Sequence, residues 1–370
     1  MRHRIRRIRV YRAVLPLDKE GAYRWSGGKS VDAFDSTFVA IETESGLTGW
    51  GEVSPLGPFY LPAYAEGART GIKELAPHLI GVEATELESV NRLMDRALKG
   101  HPYVKCALDI ACWDILGQVA GVPVSTLLGG RYGETIALYR SLSQGSAEEM
   151  ADLVTRFQGQ GFHHFQAKVG GDPDLDIARI RACAKRLKDG DRLVADANTG
   201  WLVHEAARVV RGVRDIDVYI EQPCLAYEDC LSIRRRTDHP FVLDESIDSL
   251  DALLRAHRDR AMDAINLKIS KFGGLTRSRQ ARDLCLALGI AMTIEDTSGS
   301  DVTAAAVTHL AHSTPEEFRL SVTISNVKLT VRTADGAPQA KDGRTAAPAT
   351  PGLGVTPKLD VLGDPIAVIG

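Results

Sequence analysis

Six side chains able to move protons or hold a cation recur through the middle of the chain. They are Lys168 in HFQAKVGG, Asp196 in LVADAN, Glu221 in VYIEQP, Asp244 in FVLDES, Lys268 in AINLKIS and Glu295 in AMTIED. From Asp196 onward they are 25, 23, 24 and 27 residues apart. Each closes a short apolar run and precedes a turn and a helix-like stretch. Asp196, Glu221 and Asp244 would therefore end three successive strands with their carboxylates converging. Three hard oxygen ligands without His or Cys suit Mg²⁺, with Mn²⁺ as a substitute. Asn198 and Asn266 are placed to orient those ligands. Glu245 neighbours Asp244, but strand alternation admits only one inward side chain, and Asp244 is taken as the ligand. One such acid alone reads as readily as a surface charge or a helix cap; three on consecutive strands are harder to explain that way.

Lys168 and Lys268 would end strands on opposite sides of the same site. Singly, each reads as a phosphate clamp or a salt-bridge partner. Opposed across a carboxylate cage, they suit removal of the proton α to a carboxylate. A lysine acts as base only when its pKa falls toward neutrality, and a nearby divalent cation supplies the charge to lower it. The same cation stabilises the second negative charge of the enediolate.

The elements that must position these groups follow from the rhythm. One strand plus one helix, repeated with the charged residue at the strand's carboxyl end, makes a (β/α)8 (TIM) barrel whose carboxyl rim carries chemistry. The strands read as LYRSLSQ, HFQAKV, RLVADA, DVYIEQ, FVLDE, AINLKI, IAMTIE and EFRLSV. Apolar runs without clean alternation suit a parallel sheet covered on both faces. Ahead of them, residues 5–16, 36–44 and 47–53 read as strands, the last two a hairpin about Glu44-Ser45-Gly46. Helical patterns follow; the last, VKCALDIACWDILGQVAGV, places Ala107, Ile110, Ala111 and Ile115 on one face and ends at Gly121. The expected division is an α+β capping domain over residues 1–130, completed by about 326–370, and a barrel over 131–325. The stretch GAYRWSGGKSVD reads as a mobile loop, SPLGPFYLPAY as a second loop, and TADGAPQAKDGRTAAPATPGLG as a surface excursion.

A hydrophobic content of 44% and a charged content of 25% are those of an ordinary globular chain, and 370 residues suffice for one or two cores. The net charge of −3 gives no reason to invoke nucleic acid. The arginine-rich start, MRHRIRRIRVYRAVLPL, is interrupted by Arg12 and lacks a small-residue cleavage site, so it reads as a strand. No run approaches the roughly 18 apolar residues a bilayer span needs. Six cysteines without CxxC spacing read as buried free thiols. The expectation is a soluble cytoplasmic protein acting on a small carboxylate substrate, with neither nucleic acid nor membrane as partner.

KVGGDPDLDIARI, DANTGW, EQP, DES and NLKISKFGGLT, with CALDIACWDILGQVAGVPVSTLLGG before the barrel and GLGV (Gly352–Val355) near the end, resemble the enolase superfamily in its muconate-lactonizing-enzyme subgroup. The resemblance implies a cap built from both termini that closes over the barrel with two loops, here Ala22–Ser30 and Ser54–Tyr64. Trp25, Phe59 and Tyr60 become candidate substrate contacts, with Glu295, Asp296 and Ser298 at the end of strand seven. It implies Asp196, Glu221 and Asp244 as metal ligands, Lys168 and Lys268 as the acid–base pair, and a homo-oligomer. The histidine base of the mandelate racemase subgroup is absent, since strand seven ends in Ile294-Glu295-Asp296.

Family members commonly carry Lys-x-Lys on strand two, whereas here Gln166 precedes Lys168. Gln166 can hold a neighbour by hydrogen bond but adds no charge. Gln-x-Lys is similar to a narrower set, the cis-3-hydroxy-L-proline dehydratases and hydroxyproline betaine epimerases. Those relatives usually have a tryptophan where this chain has Ser298. An aromatic there could hold a quaternary ammonium, so its absence weighs against a betaine. In cis-3-hydroxy-L-proline the α-hydrogen lies opposite the hydroxyl, and two opposed lysines can divide an anti elimination. The leading expectation is dehydration of that or a similar proline derivative. The same pair would serve a racemase or 2-epimerase of proline-like, betaine or N-acyl amino acids. A Schiff-base aldolase and a catalytically silent relative are the remaining alternatives.

Overall fold

The computed structural model describes residues 2–18 and 22–370. Eight parallel strands pair in chain order: Tyr139–Leu142, His164–Lys168, Arg192–Asp196, Tyr219–Glu221, Phe241–Leu243, Ala264–Lys268, Ala291–Glu295 and Arg319–Val322. They form a nearly closed barrel with helices around it, as the strand–helix rhythm predicts. Among the described residues no ladder joins the first strand to the eighth, so a seam remains there.

Alternation sorts the barrel strands into layers. Val242, Ala264 and Leu320 pack together with Tyr219 and Ala291 low in the interior. Two or four residues further along those strands come Glu221, Asn266 and Lys268, and Glu295. Register levels the rim: Lys168 pairs with Asp196, Asp196 with Glu221, and Lys268 with Glu295. Beyond the strand ends Asn198, Thr199 and Gln222 take positive φ, turning the chain sharply outward. Gly170, at φ +93, lies where a Cβ would come within 2.1 Å of the Ala197 carbonyl. That contact packs the loop after Lys168 onto the loop after Asp196.

The cap is a four-stranded antiparallel sheet in the order Ala367–Ile369, Ile5–Pro16, Ala33–Thr43, Thr48–Val53. The carboxyl end thus returns to the first unit, with Ile8 opposite Ile369. Helix Pro102–Ala120 is buried on nearly every side rather than on the single face its periodicity suggests. It lies between cap and barrel. A Cβ on Gly51 would stand 1.8 Å from the Ala107 carbonyl, so strand and helix backbones touch directly. Toward the barrel, Asp109 accepts from the Thr276 amide at 3.0 Å, and Trp113 Nε1 donates to Thr276 Oγ1 at 2.9 Å.

The stretch read as a mobile loop contains a small hairpin, Tyr23–Trp25 against Lys29–Val31, with Trp25 only 1% exposed; its first residue, Gly21, lies outside the described residues. Within the excursion after residue 326, Ala334–Asp335 pairs with Thr356–Pro357 and Arg344–Thr345 with Ile136–Ala137. All six cysteines are buried free thiols. Among the described residues no helix is long and apolar enough to cross a membrane.

Candidate active site

The carboxyl rim and the underside of the cap enclose a small, tight cavity of about 40 Å³. Lys168, Lys268, Gln166, Asn198, Glu295 and Asp296 line it from the barrel, Trp25 and Tyr60 from the cap. Cap and rim are tied by hydrogen bonds. Ser26 Oγ donates to the Asn198 carbonyl at 3.1 Å, and Tyr60 donates to Asp244 Oδ2 at 2.9 Å. Ser298 is buried, its hydroxyl bonded to the Ser54 carbonyl at 2.7 Å. The structure therefore places Ser298 at the root of the 54–64 loop, outside the cavity lining. Phe59 also lies outside that lining, 45% exposed and stacked 5.9 Å from Trp25.

Each acid at the rim is held by donors. Asp196 takes the Lys168 ammonium and the Asn198 amide, the latter at 2.8 Å. Glu221 takes both oxygens' worth of donation from Gln166, at 3.2 and 3.0 Å, and a further bond from Asn266 at 2.5 Å. Asp244 takes Lys268, Tyr60 and Lys271, the last at 2.9 Å. Glu295 is bonded by Tyr139 and by Asn266 at 3.3 Å, with Lys268 at 3.5 Å. Asp296 is held by Ser270 and by the Thr297 amide at 2.8 Å.

Burial and crowding set the electrostatics. Burial, then Asp196, outweigh Lys168 and raise the Glu221 carboxyl well above its ordinary range. Asp244 moves the other way, because Lys268 and Lys271 overcome its burial. Burial would lower Lys168, but Asp196, Tyr23 and Glu221 raise it. Lys268 is likewise raised, burial being outweighed by Asp244, Glu295 and Glu245. In this geometry both ammonium groups are stabilised in their charged form.

A cation fits the residues present. Asp196, Glu221, Asp244, Glu245, Glu295 and Asp296 outnumber the buried Lys168, Lys268 and Lys271. Asn198 Oδ1, Asn266 Oδ1, Glu245 Oε2 and Asp296 Oδ2 are buried acceptors without a partner. Hard oxygen donors in excess are what Mg²⁺ takes. Among the described residues, however, no three acid, histidine or cysteine side chains already stand in a ligating arrangement; ammonium and amide donors occupy the carboxylates instead.

Sequence reasoning passed over several of these groups. Glu245 was set aside by strand alternation, but the fifth strand ends at Leu243, so alternation does not govern it. Asn198 Nδ2 donates to Glu245 at 3.2 Å, and burial with Asp244 and Asp196 pushes its carboxyl up to about 8. Lys271 sits one helical turn beyond Lys268, in Ile269–Phe272, and its spacing of three is the signal that could have found it. Tyr139 and Ser141 share the inward face of the first strand, and period-two alternation carries that signal.

Residues 149–361 match the family model described as "Enolase C-terminal domain-like". Residues 28–129 match "Mandelate racemase / muconate lactonizing enzyme, N-terminal domain". The chain is 55% identical to a cis-3-hydroxy-L-proline dehydratase of Roseibium aggregatum, over 98% of this chain and 99% of that protein. It is 30% identical to an N-succinyl-L-Arg/Lys racemase of Bacillus cereus, over 84% of each. A crystal structure of an enolase-superfamily member from Roseovarius nubinhibens, complexed with magnesium, superposes with a TM-score of 0.93 at 41% identity, covering 99% of both chains.

Proposed function

This chain is an enzyme of the mandelate racemase/muconate lactonizing enzyme family of the enolase superfamily, and on that premise we propose that it dehydrates cis-3-hydroxy-L-proline or a similar 3-hydroxylated proline derivative. The observation that carries the reading is the pair of ammonium groups, Lys168 and Lys268, lining one small cavity at the barrel rim, each beside a carboxylate. The 55% identical dehydratase supports the substrate.

Asp196, Glu221 and Asp244 would hold Mg²⁺, with Mn²⁺ able to replace it; the ion supplies positive charge against the negative charge that builds on the substrate carboxylate. One lysine takes the α-proton, and the other delivers a proton to the ring hydroxyl. The C2–H and C3–O bonds break, a C2=C3 bond forms, and water leaves. The resulting enamine tautomerises to a cyclic imine. Gln166 and Asn266 keep Glu221 oriented, while Trp25 and Tyr60 close the cavity against water.

Purified protein with Mg²⁺ is expected to consume cis-3-hydroxy-L-proline and release a cyclic imine; absence of both overturns the reading. A second reading, racemisation or 2-epimerisation, is supported by the two-sided placement of the lysines and by the racemase relative. Deuterium entering the α-carbon without water loss would favour it. Assembly as a homo-oligomer is part of the proposal and is read by light scattering.

A further inference from the structure

Two thiols sit just behind the acids of the rim, and the mechanism above uses neither. Cys224 lies three residues beyond Glu221, in the turn after the fourth strand, and Cys230 lies in helix Tyr227–Arg234. The helix folds the chain back on that turn, so the two side chains meet. The Cys230 thiol donates to the Cys224 carbonyl at 3.1 Å and is within hydrogen-bond reach of the Cys224 sulfur. Burial raises the thiols of Cys106, Cys112, Cys183 and Cys285. Cys224 moves the other way, because its hydrogen bond from Cys230 outweighs burial. A thiolate is the form of cysteine that attacks an oxidant, and here a second thiol already stands beside it. Both cysteines are buried, but Leu225 between them is 78% exposed, so the pair lies one residue beneath the surface. Local opening of that turn admits a molecule the size of peroxide.

Gln222 links the thiols to the rim. Its Nε2 donates to the Cys224 carbonyl at 3.1 Å, to Cys230 Sγ at 3.5 Å and to Ser246 Oγ at 2.7 Å. Its Oε1 accepts from the Asp244 amide at 3.0 Å and from the Ser246 amide at 3.3 Å. One buried amide therefore holds the turn carrying Asp244 against the turn carrying both thiols, directly after Glu221. A disulfide draws its sulfurs to about 2.0 Å, well inside any hydrogen-bonded contact. The Cys224 carbonyl and the Cys230 sulfur, both partners of Gln222, must then shift.

We propose that Cys224 and Cys230 are a redox modification site: a hydroperoxide joins them in a reversible disulfide, which slackens the hold of Gln222 on Asp244 and weakens cation binding at the rim. The step balances with peroxide as the oxidant. The Cys224 thiolate attacks the O–O bond, which breaks; the sulfur becomes a sulfenic acid, and the released hydroxide takes up the thiol's proton as water. Cys230 sulfur then attacks that sulfur, the S–O bond breaks, and a second water leaves with the Cys230 proton. Each sulfur gives up one electron, and the peroxide takes two. Disulfide formation stands apart from the dehydration reading; the loss of metal affinity rests on the ligand set named there.

The test treats the full chain with hydrogen peroxide, removes the excess with catalase, and reads intact mass, peptide map and Mg²⁺ affinity by calorimetry. The expected result is loss of two hydrogens, a Cys224–Cys230 cross-linked peptide, and Mg²⁺ affinity down by at least about tenfold, all reversed by dithiothreitol. Cys224→Ser and Cys230→Ser should each keep imine formation and Mg²⁺ affinity while losing the cross-link and the affinity drop. If either variant does not fold, the mass and Mg²⁺ affinity of the unsubstituted protein before and after dithiothreitol decide alone. Unmodified thiols, or oxidation of Cys224 that stops short of the bond to Cys230, overturn the site. A cross-link with unchanged Mg²⁺ affinity overturns the coupling through Gln222. Failure of the reduced protein to form any imine strikes the dehydration reading and leaves the cross-link result standing, so the two failures are told apart.

Discussion

Replacing Lys271 by methionine probes how much of the site's order comes from a residue that touches no substrate. The ammonium donates to the Asp244 carbonyl at 2.6 Å, to Asp244 Oδ1 at 2.9 Å and to the Asn266 carbonyl at 3.1 Å. All three acceptors are buried. Lys271→Met keeps the stem's bulk but strips Asp244 of one of two ammonium partners. Breaking a buried pair on one side costs about 3 to 5 kcal/mol. An unfolding entropy of about 2.1 cal/mol/K per residue turns that into a Tm loss of about 4 to 6 °C for a chain of this length. The sign with pH follows from Asp244, whose carboxyl is held below its ordinary range. The stabilisation is present above the unfolded carboxylate pKa and is lost as pH falls through the lower folded one. The gap between variant and parent should therefore narrow in acid. Melting curves in EDTA, at neutral and acid pH, isolate this term from metal binding, and Mg²⁺ titration should show affinity down by about 10- to 100-fold. A Tm within about 1 °C of the parent in EDTA, against the several degrees expected, would mean that Lys271 does not stabilise the buried Asp244 carboxylate.

Lys168→Ala and Lys268→Ala should each abolish imine formation while Mg²⁺ still binds, read by calorimetry beside the activity assay; loss of metal binding in either would assign that lysine a structural role. Gly51→Ala drives a Cβ toward the Ala107 carbonyl, so destabilisation of about 1 to 3 kcal/mol or more is expected by urea titration, with a rise in KM as the adjoining 54–64 loop shifts. His309 accepts from the Ser125 amide at 3.1 Å and meets the Leu353 carbonyl at 3.0 Å, and burial lowers its pKa to about 4. A depressed histidine loses stability as pH falls from the unfolded value of about 6.5, by about 2 kcal/mol at pH 5. His309→Gln, which cannot take up that proton, should flatten the fall in urea midpoint between pH 7 and pH 5, and an unaltered slope would count against the buried neutral imidazole.

Local pattern determined a good deal here. Strand-ending charges at near-constant spacing identify a barrel with a chemical rim, because side-chain direction in a strand depends only on parity and every strand end repeats the same geometry. The same parity brought Lys168 level with Asp196, and Lys268 level with Glu295. Alternation failed where its premise failed: Asp244 and Glu245 lie past the last paired residue, and there the turn decides direction. Contacts between residues far apart in the chain were decided by tertiary structure alone. Lys328 meets Ser141 because the seam between first and eighth strands stays unladdered, and no local pattern records which strands go unpaired. The burial of helix Pro102–Ala120 on all sides likewise comes from Gly49 and Gly51, which let one backbone lie on another. Ser298 turns to Ser54, and Tyr60 to Asp244, only once cap and barrel have docked. Periodicity speaks for one element at a time, whereas the cavity's contents depend on how several elements close together.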